Sequence, residues 1–175
     1  MQEMVLKHLQ HRLASIKILV VDDDHHMRKV VRTMLNAIGV KLVYDAMSGA
    51  AGLTAIRDLS PDIVLLDWEM PMLDGPQFVR MVRSPGAFPR PDVPIIMLTG
   101  HGDRWRVVEA ARVGVHEYLL KPVSTKALLA RIMSVLTNPR PFVQYDGYYG
   151  PAPRRVVVIS DEPETDPHGG VVLLN

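Results

Sequence analysis

The 175-residue chain is 47% hydrophobic and 22% charged, enough for one well-buried domain with a little to spare and too little for two full ones. It contains no cysteine, which excludes a disulfide scaffold, a Cys-ligated zinc or iron–sulfur centre and a thiolate nucleophile. Twenty Lys and Arg against nineteen Asp and Glu leave a formal charge of +1, so nothing global favours nucleic acid or an anionic membrane. The apolar face Val5, Leu6, Leu9 and Leu13 opens the chain as an amphipathic helix over 1–15 that needs something to pack on, its own domain or a partner. Lys7, His8, His11 and Arg12 interrupt it too often for a signal peptide, and no later apolar run approaches the roughly 20 residues of a membrane span. A soluble, cytoplasmic protein with no membrane partner is expected.

Lys17–Val21 is a nearly continuous, β-branched apolar run, the pattern of a strand buried on both faces, and it stops at Asp22-Asp23-Asp24. From Met27 the apolar residues Val30, Val31, Leu35 and Ile38 take helical spacing, and Gly39 ends it. The unit then repeats. A strand at Val40–Tyr44 precedes a helix capped by Ser48 and running to about Asp58, and a strand at Ile63–Leu66, ending at Asp67, precedes a helix from about Asp74 to Arg83. A Pro- and Gly-rich loop spans 84–94. Next come a strand at Ile95–Leu98, a helix from about Asp103 to Val113, a strand at Val115–Leu120 and a helix capped by Ser124 running to about Thr137. Alternation of this kind predicts an α/β fold, a doubly wound five-stranded parallel sheet of order 2-1-3-4-5 with helices on both faces. The domain occupies 16–137. Residues 138–175 hold six of the fourteen prolines and no lysine; Val156–Ile159 and Val171–Leu174 are their only strand-like runs. That tail is either an unstructured extension or a segment that pairs with a sheet edge or a second subunit.

In such sheets the functional site lies beyond the carboxyl ends of the strands. The residues there are Asp22-Asp23-Asp24, Asp67, Thr99 and Lys121, and the strand order brings Asp22, Asp23 and Asp67 together. Three crowded carboxylates stay ionised only beside a cation, and all-oxygen ligands suit a hard ion, Mg²⁺ or Mn²⁺. A hydroxyl and an ammonium opposite that ion cradle an anion, which is what phosphoryl transfer to a carboxylate, Asp67, requires.

With Val20-Val21-Asp22-Asp23, the run from Pro61 to Pro71, Asp74-Gly75, Leu98-Thr99-Gly100 and Tyr118-Leu119-Leu120-Lys121-Pro122, the chain resembles a response-regulator receiver domain of the CheY-like fold over about 16–137. The resemblance implies that Asp67 accepts a phosphoryl group from a histidine kinase or histidine phosphotransfer protein. Asp22, Asp23, Asp67 and the carbonyl of Glu69 would bind Mg²⁺. Thr99 would bond the phosphoryl group and swing toward it, Lys121 would pair with it, Tyr118 would change rotamer, and Lys121-Pro122 would be cis. Glu69 and His101 would tune the lifetime of the phosphate. The output would be a protein-binding face over 103–113, 115–119 and 124–137, engaging a downstream protein target. As a stand-alone receiver the chain would lack a DNA-binding domain and catalyse only its own phosphorylation and dephosphorylation.

Two other functions compete. A Mg²⁺-dependent phosphatase of the haloacid dehalogenase class also uses an aspartyl phosphate, and Glu69 holds the place of its second acid, but no substrate-cap insertion is apparent. A scaffold or homodimer built on the N-terminal helix or the tail would leave phosphorylation vestigial. His25-His26 falls at adjacent helical positions and is expected to be exposed, near the kinase-docking end of its helix rather than a phosphotransfer site. Trp105 between Arg104 and Arg106 is expected at a partner contact or half-buried, and Arg154-Arg155 is too short a run to bind nucleic acid.

Overall fold

The computed structural model describes residues 1–155 and 173–174. In chain order the elements are α1 (Gln2–Ser15), β1 (Lys17–Val21), α2 (His25–Ala37), β2 (Leu42–Ala46), α3 (Gly49–Leu59), β3 (Ile63–Asp67), α4 (Gly75–Val82), β4 (Ile95–Thr99), α5 (Arg104–Val113), β5 (Glu117–Leu120) and α6 (Thr125–Thr137). They are followed by β6 (Phe142–Tyr145), β7 (Tyr148–Pro151), β8 (Arg154–Arg155) and β9 (Leu173–Leu174). The first five strands form one parallel sheet of order β2-β1-β3-β4-β5, as the alternation predicts.

Every residue of β3 and β4 is buried, because helices cover both faces. Side-chain alternation sends Leu19, Val21, Val64, Leu66, Ile95 and Met97 into a core with α3, α4 and α5. Ile18, Val20, Ile63, Leu65, Ile96 and Leu98 face the opposite way, against α2 and α6. Burying each such side chain contributes about 1.5–3 kcal/mol, so the sheet centre is the rigid part of the molecule. Asp24, Ser48, Asp74 and Ser124 cap α2, α3, α4 and α6 by accepting from backbone N–H groups, and at Asp74 the side chain of Gln77 returns the bond to form a capping box.

The N-terminal helix docks on its own domain by its second half. Leu13 is buried with the α2–α6 core, Leu9 packs at its edge, and the Arg12 guanidinium donates to the Leu136 carbonyl at 2.7 Å. Met4, Val5 and Leu6 remain exposed.

Two strands begin two residues later than the pattern predicts, for one reason. Gly39 and Gly114 sit at φ 100° and 99° as helix stops, and the next residues, Val40 and Val115, bond back to Leu35 O at 3.0 Å and Ala110 O at 3.1 Å. Both valines are buried, but as the closing residues of helix ends rather than as strand.

The tail departs further from expectation. Val156–Ile159 lies outside the described residues, as do Val171 and Val172 of the second predicted run, whose last residues form β9 and pair antiparallel with β8. Neither run accounts for the best-formed structure here, an antiparallel hairpin of β6 and β7. Asp146 and Gly147 make its turn with φ 42° and 77°, the doubly positive geometry that favours Asp-Gly. The hairpin is anchored to the sheet domain: Arg140 donates to His116 O at 2.6 Å, and Phe142 lies 5.4 Å from the His116 ring and 5.1 Å under the Arg83 guanidinium. Gly150 rests against Gly114, where a Cβ would come within 2.9 Å of the other glycine's Cα.

Candidate functional site

β1, β3, β4 and β5 end side by side, so the residues that follow them share one rim. Asp67 closes β3, Thr99 closes β4, and Lys121 follows β5 with its N–H on Thr99 O at 2.7 Å. Carboxylate oxygens of Asp22, Asp23 and Asp67 lie within 4.8 Å of one another, Asp22 and Asp67 buried and Asp23 exposed. The third residue of the acidic run is absent from the cluster: Asp24 turns away to cap α2, and its backbone partners Met27 and His26 hold its carboxyl below the usual value.

Lys121 reaches into the cluster, its ammonium 2.6 Å from Asp67 Oδ1 and 3.3 Å from Asp22 Oδ2. Burial alone would lower Lys121, but the bond and charge of Asp67, joined by Asp22, outweigh it and raise the lysine. Asp67 is pushed up, chiefly by burial and further by the charges of Asp22 and Asp23, with Lys121 pulling the other way. The cluster thus sets three negative charges around one ammonium. All its donors are hard oxygens and the charge is uncompensated, so these residues fit a small divalent cation, Mg²⁺ or Mn²⁺.

Thr99 is buried, and its hydroxyl accepts from His101 N–H at 3.2 Å. The His101 carbonyl accepts from the Tyr118 hydroxyl at 2.7 Å, so both predicted switch residues hold the same loop. The two predicted tuning residues meet each other: His101 Nδ1 is 3.2 Å from Glu69 Oε1, on the exposed side of the site. The Lys121–Pro122 bond is cis, as the resemblance implies.

Two arginines complete the site: Arg28, which the sequence pattern does not single out, and Arg106, which it marks only as a neighbour of Trp105. Arg28 of α2 donates to the carbonyls of Asp22 and Asp23 at 2.8 and 3.2 Å and pairs with Asp45, fixing the acidic turn from behind. Its position one turn into a helix after an acidic run was the only signal. Arg106 of α5 binds Glu69 Oε1 at 3.0 Å and lies over the rings of Trp68 and Trp105, at 5.2 and 5.0 Å. Its Nε and Nη1 are buried without a hydrogen-bond partner among the described residues. Trp105 is 60% exposed and sets its edge against Trp68, centroids 6.1 Å apart. His25 and His26 are exposed, as predicted, and neither belongs to the carboxylate cluster.

The model of the response regulator receiver domain matches residues 18–133. The chain belongs to that family. It is 33% identical over 123 residues to chemotaxis protein CheY1 of Helicobacter pylori, covering 69% of this chain and 97% of the relative. It is 40% identical over 128 residues to the "Probable transcriptional regulator ycf27" of Guillardia theta, covering 72% of this chain but 48% of that protein. The chain therefore spans about half the length of relatives of that kind. Among solved structures, chemotaxis protein CheY4 of Vibrio cholerae superposes with a TM-score of 0.63 at 30% identity, covering 69% of this chain and 98% of the other. The receiver domain of the Francisella response regulator 1452 gives 0.63 at 27%, covering 70% and 98%. The β6–β7 hairpin lies beyond the matched residues. No helix among the described residues is long and apolar enough to cross a membrane.

Proposed function

We propose that this receiver, over 16–137, works in the cytoplasm and accepts a phosphoryl group on Asp67 from the phosphohistidine of a histidine kinase or phosphotransfer protein. The observation that carries the proposal is the Lys121 ammonium held 2.6 Å from an Asp67 carboxylate that burial has made more basic than usual. In the transfer an Asp67 oxygen bonds to phosphorus, the N–P bond of the phosphohistidine breaks, and the nitrogen keeps the electron pair. Lys121 orients the carboxylate and then neutralises the arriving oxygens. Asp22, Asp23 and Asp67, with the carbonyl of Glu69, would hold Mg²⁺, which supplies further charge neutralisation at those oxygens.

The hydrogen bonds around His101 support a switch. For Thr99 to turn its hydroxyl to the phosphoryl group it must release His101 N–H, and the loop that then moves also carries the acceptor of Tyr118. The change therefore reaches the surface of α5, β5 and α6, which already exposes Trp105, Val107 and Leu120 and suits a downstream protein target. Under this reading the chain acts on no separate substrate. Glu69 is held by Arg106 and His101, and nothing about it favours the phosphatase alternative.

Intact mass after incubation with Mg²⁺ and a small-molecule phosphodonor tests the proposal. A phosphoryl adduct on the wild type and none on Asp67→Asn is expected; an equal adduct on both, or on neither, would overturn it.

A further inference from the structure

Away from the acidic rim, the C-terminal hairpin roofs a second cavity. Arg80 and Arg83, one turn apart at the end of α4, face Glu109 and Arg112 of α5, and Gly147, Tyr148 and Tyr149 close it from β7 and its turn. Its volume of about 410 Å³ suits a small molecule. Residues 147–149 lie beyond the family match, so the receiver framework alone does not make this cavity.

The lining is three arginines against one glutamate. Glu109 is engaged by Arg80, and among the described residues Arg112 has no ion pair. Arg83 is buried beside the cavity, its donors met by the carbonyls of Gly114 at 3.0 Å and Pro91 at 2.7 Å and by His116 Nδ1 at 3.4 Å, without a carboxylate. Burial pushes its guanidinium down to about 9, with the charge of Asp92 opposing that shift, so it remains charged at neutral pH and adds to the positive lining. The walls are fixed as well: the Tyr148 hydroxyl is tied to Pro151 O at 2.8 Å, and Gly114 and Gly150 hold the hairpin against α5. A preformed, half-enclosed, positively charged recess with planar guanidinium forks on two helices recognises oxyanions, and several charges suit it better than one.

We propose that this cavity binds the polyphosphate group of a small molecule, with Arg112 and Arg80 as its principal donors. Binding draws Arg80 from Glu109 and bridges α4, α5 and the hairpin.

The test is calorimetric titration of the full chain at low ionic strength with inorganic pyrophosphate and with ADP, alongside amide chemical-shift mapping of the wild type. Because Lys121 also attracts phosphates, Lys121→Gln separates the two sites. The expected result is sub-millimolar affinity, about tenfold weaker in Arg112→Gln and unchanged in Lys121→Gln, a tenfold loss being about 1.4 kcal/mol. The shifts should cluster at Arg112, Gly114 and Gly147–Tyr149. Tighter ADP binding identifies a nucleotide, and equal binding identifies the phosphates alone as the recognised group. The proposal is overturned if neither probe binds, or if binding vanishes in Lys121→Gln with shifts only at the acidic rim. The mapping needs no variant, so a poorly folded Arg112→Gln would still leave a decisive result.

Discussion

Replacing Asp67 with Asn removes one negative charge from the acidic rim while keeping an oxygen for Lys121, and the result is expected to be a more stable protein at neutral pH. With an effective dielectric constant near 20, the attraction lost at the 2.6 Å contact with Lys121 is about 6 kcal/mol. The repulsions relieved, from Asp22 and Asp23 at 4.8 Å or less, are at least roughly 3.5 kcal/mol each. Those terms nearly cancel, which leaves the cost of burying an ionised carboxylate as the deciding quantity, and that cost is what raises Asp67 above its ordinary value of 3.8. An acid raised on folding contributes its stability below the unfolded value and loses it as pH rises through the folded one. At pH 7.5 in a chelator, Asp67→Asn should therefore melt a few degrees above wild type, about 2–4 °C for each kcal/mol in a chain of this size. Mg²⁺ at ten times its dissociation constant should return about 1.4 kcal/mol to the wild type and less to the variant, closing the gap. Below pH 4 the difference should shrink. Thermal melts at these three conditions suffice. An Asn variant less stable than wild type at pH 7.5 without metal would mean that the Lys121 bond outweighs burial, refuting the electrostatic account of the site.

Arg106→Ala should lower stability by about 1 kcal/mol, since it removes a cation held over two indoles, and should red-shift tryptophan emission as Trp68 becomes wetter. Arg83→Met leaves the Gly114 and Pro91 carbonyls without their donor and should cost about 2–4 kcal/mol in urea unfolding. Gly114→Ala forces a Cβ to a φ of 99° and to 3.1 Å from Tyr149 O; a loss of about 1–3 kcal/mol is expected, with faster amide exchange across Phe142–Pro151 than in the sheet centre.

The sheet is legible because β1, β3 and β4 are short apolar runs rich in Ile, Val and Leu, and because a parallel order follows from the alternation of β and α. Boundaries failed where a buried valine served two grammars: Val40 and Val115 have strand composition, yet each closes a helix end through a backbone bond that the sequence marks only by the preceding glycine. The hairpin was missed for the opposite reason. Its residues, FVQY and YYGP, favour strands by type but form runs too short and too broken by glycine and proline to stand out, and the Asp146-Gly147 turn is the stronger signal.

For the site, strand ends located Asp22, Asp67, Thr99 and Lys121 because topology forces them onto one rim. What composition could not supply is which neighbours hold those groups in place. Asp24 looks equivalent to Asp22 in sequence, but capping α2 takes its lone pairs, while Arg28, an unremarkable helix residue, fixes the turn that aims the other two. Likewise the resemblance marks Glu69 and His101 as tuning positions without saying what holds them, whereas in the structure they meet each other and Arg106 gathers Glu69 and the adjoining indoles into one unit at the start of α5. That unit sits at one end of α5. Its first turn lies beside the Asp67 loop, and its last, at Glu109 and Arg112, lines the arginine cavity under the hairpin. A ten-residue helix transmits a displacement along its axis more readily than it bends, so α5 offers a mechanical route between the two ends. Coupling by that route is reciprocal: the factor by which a pocket ligand shifts the phosphorylation equilibrium of Asp67 equals the factor by which phosphorylation changes that ligand's affinity.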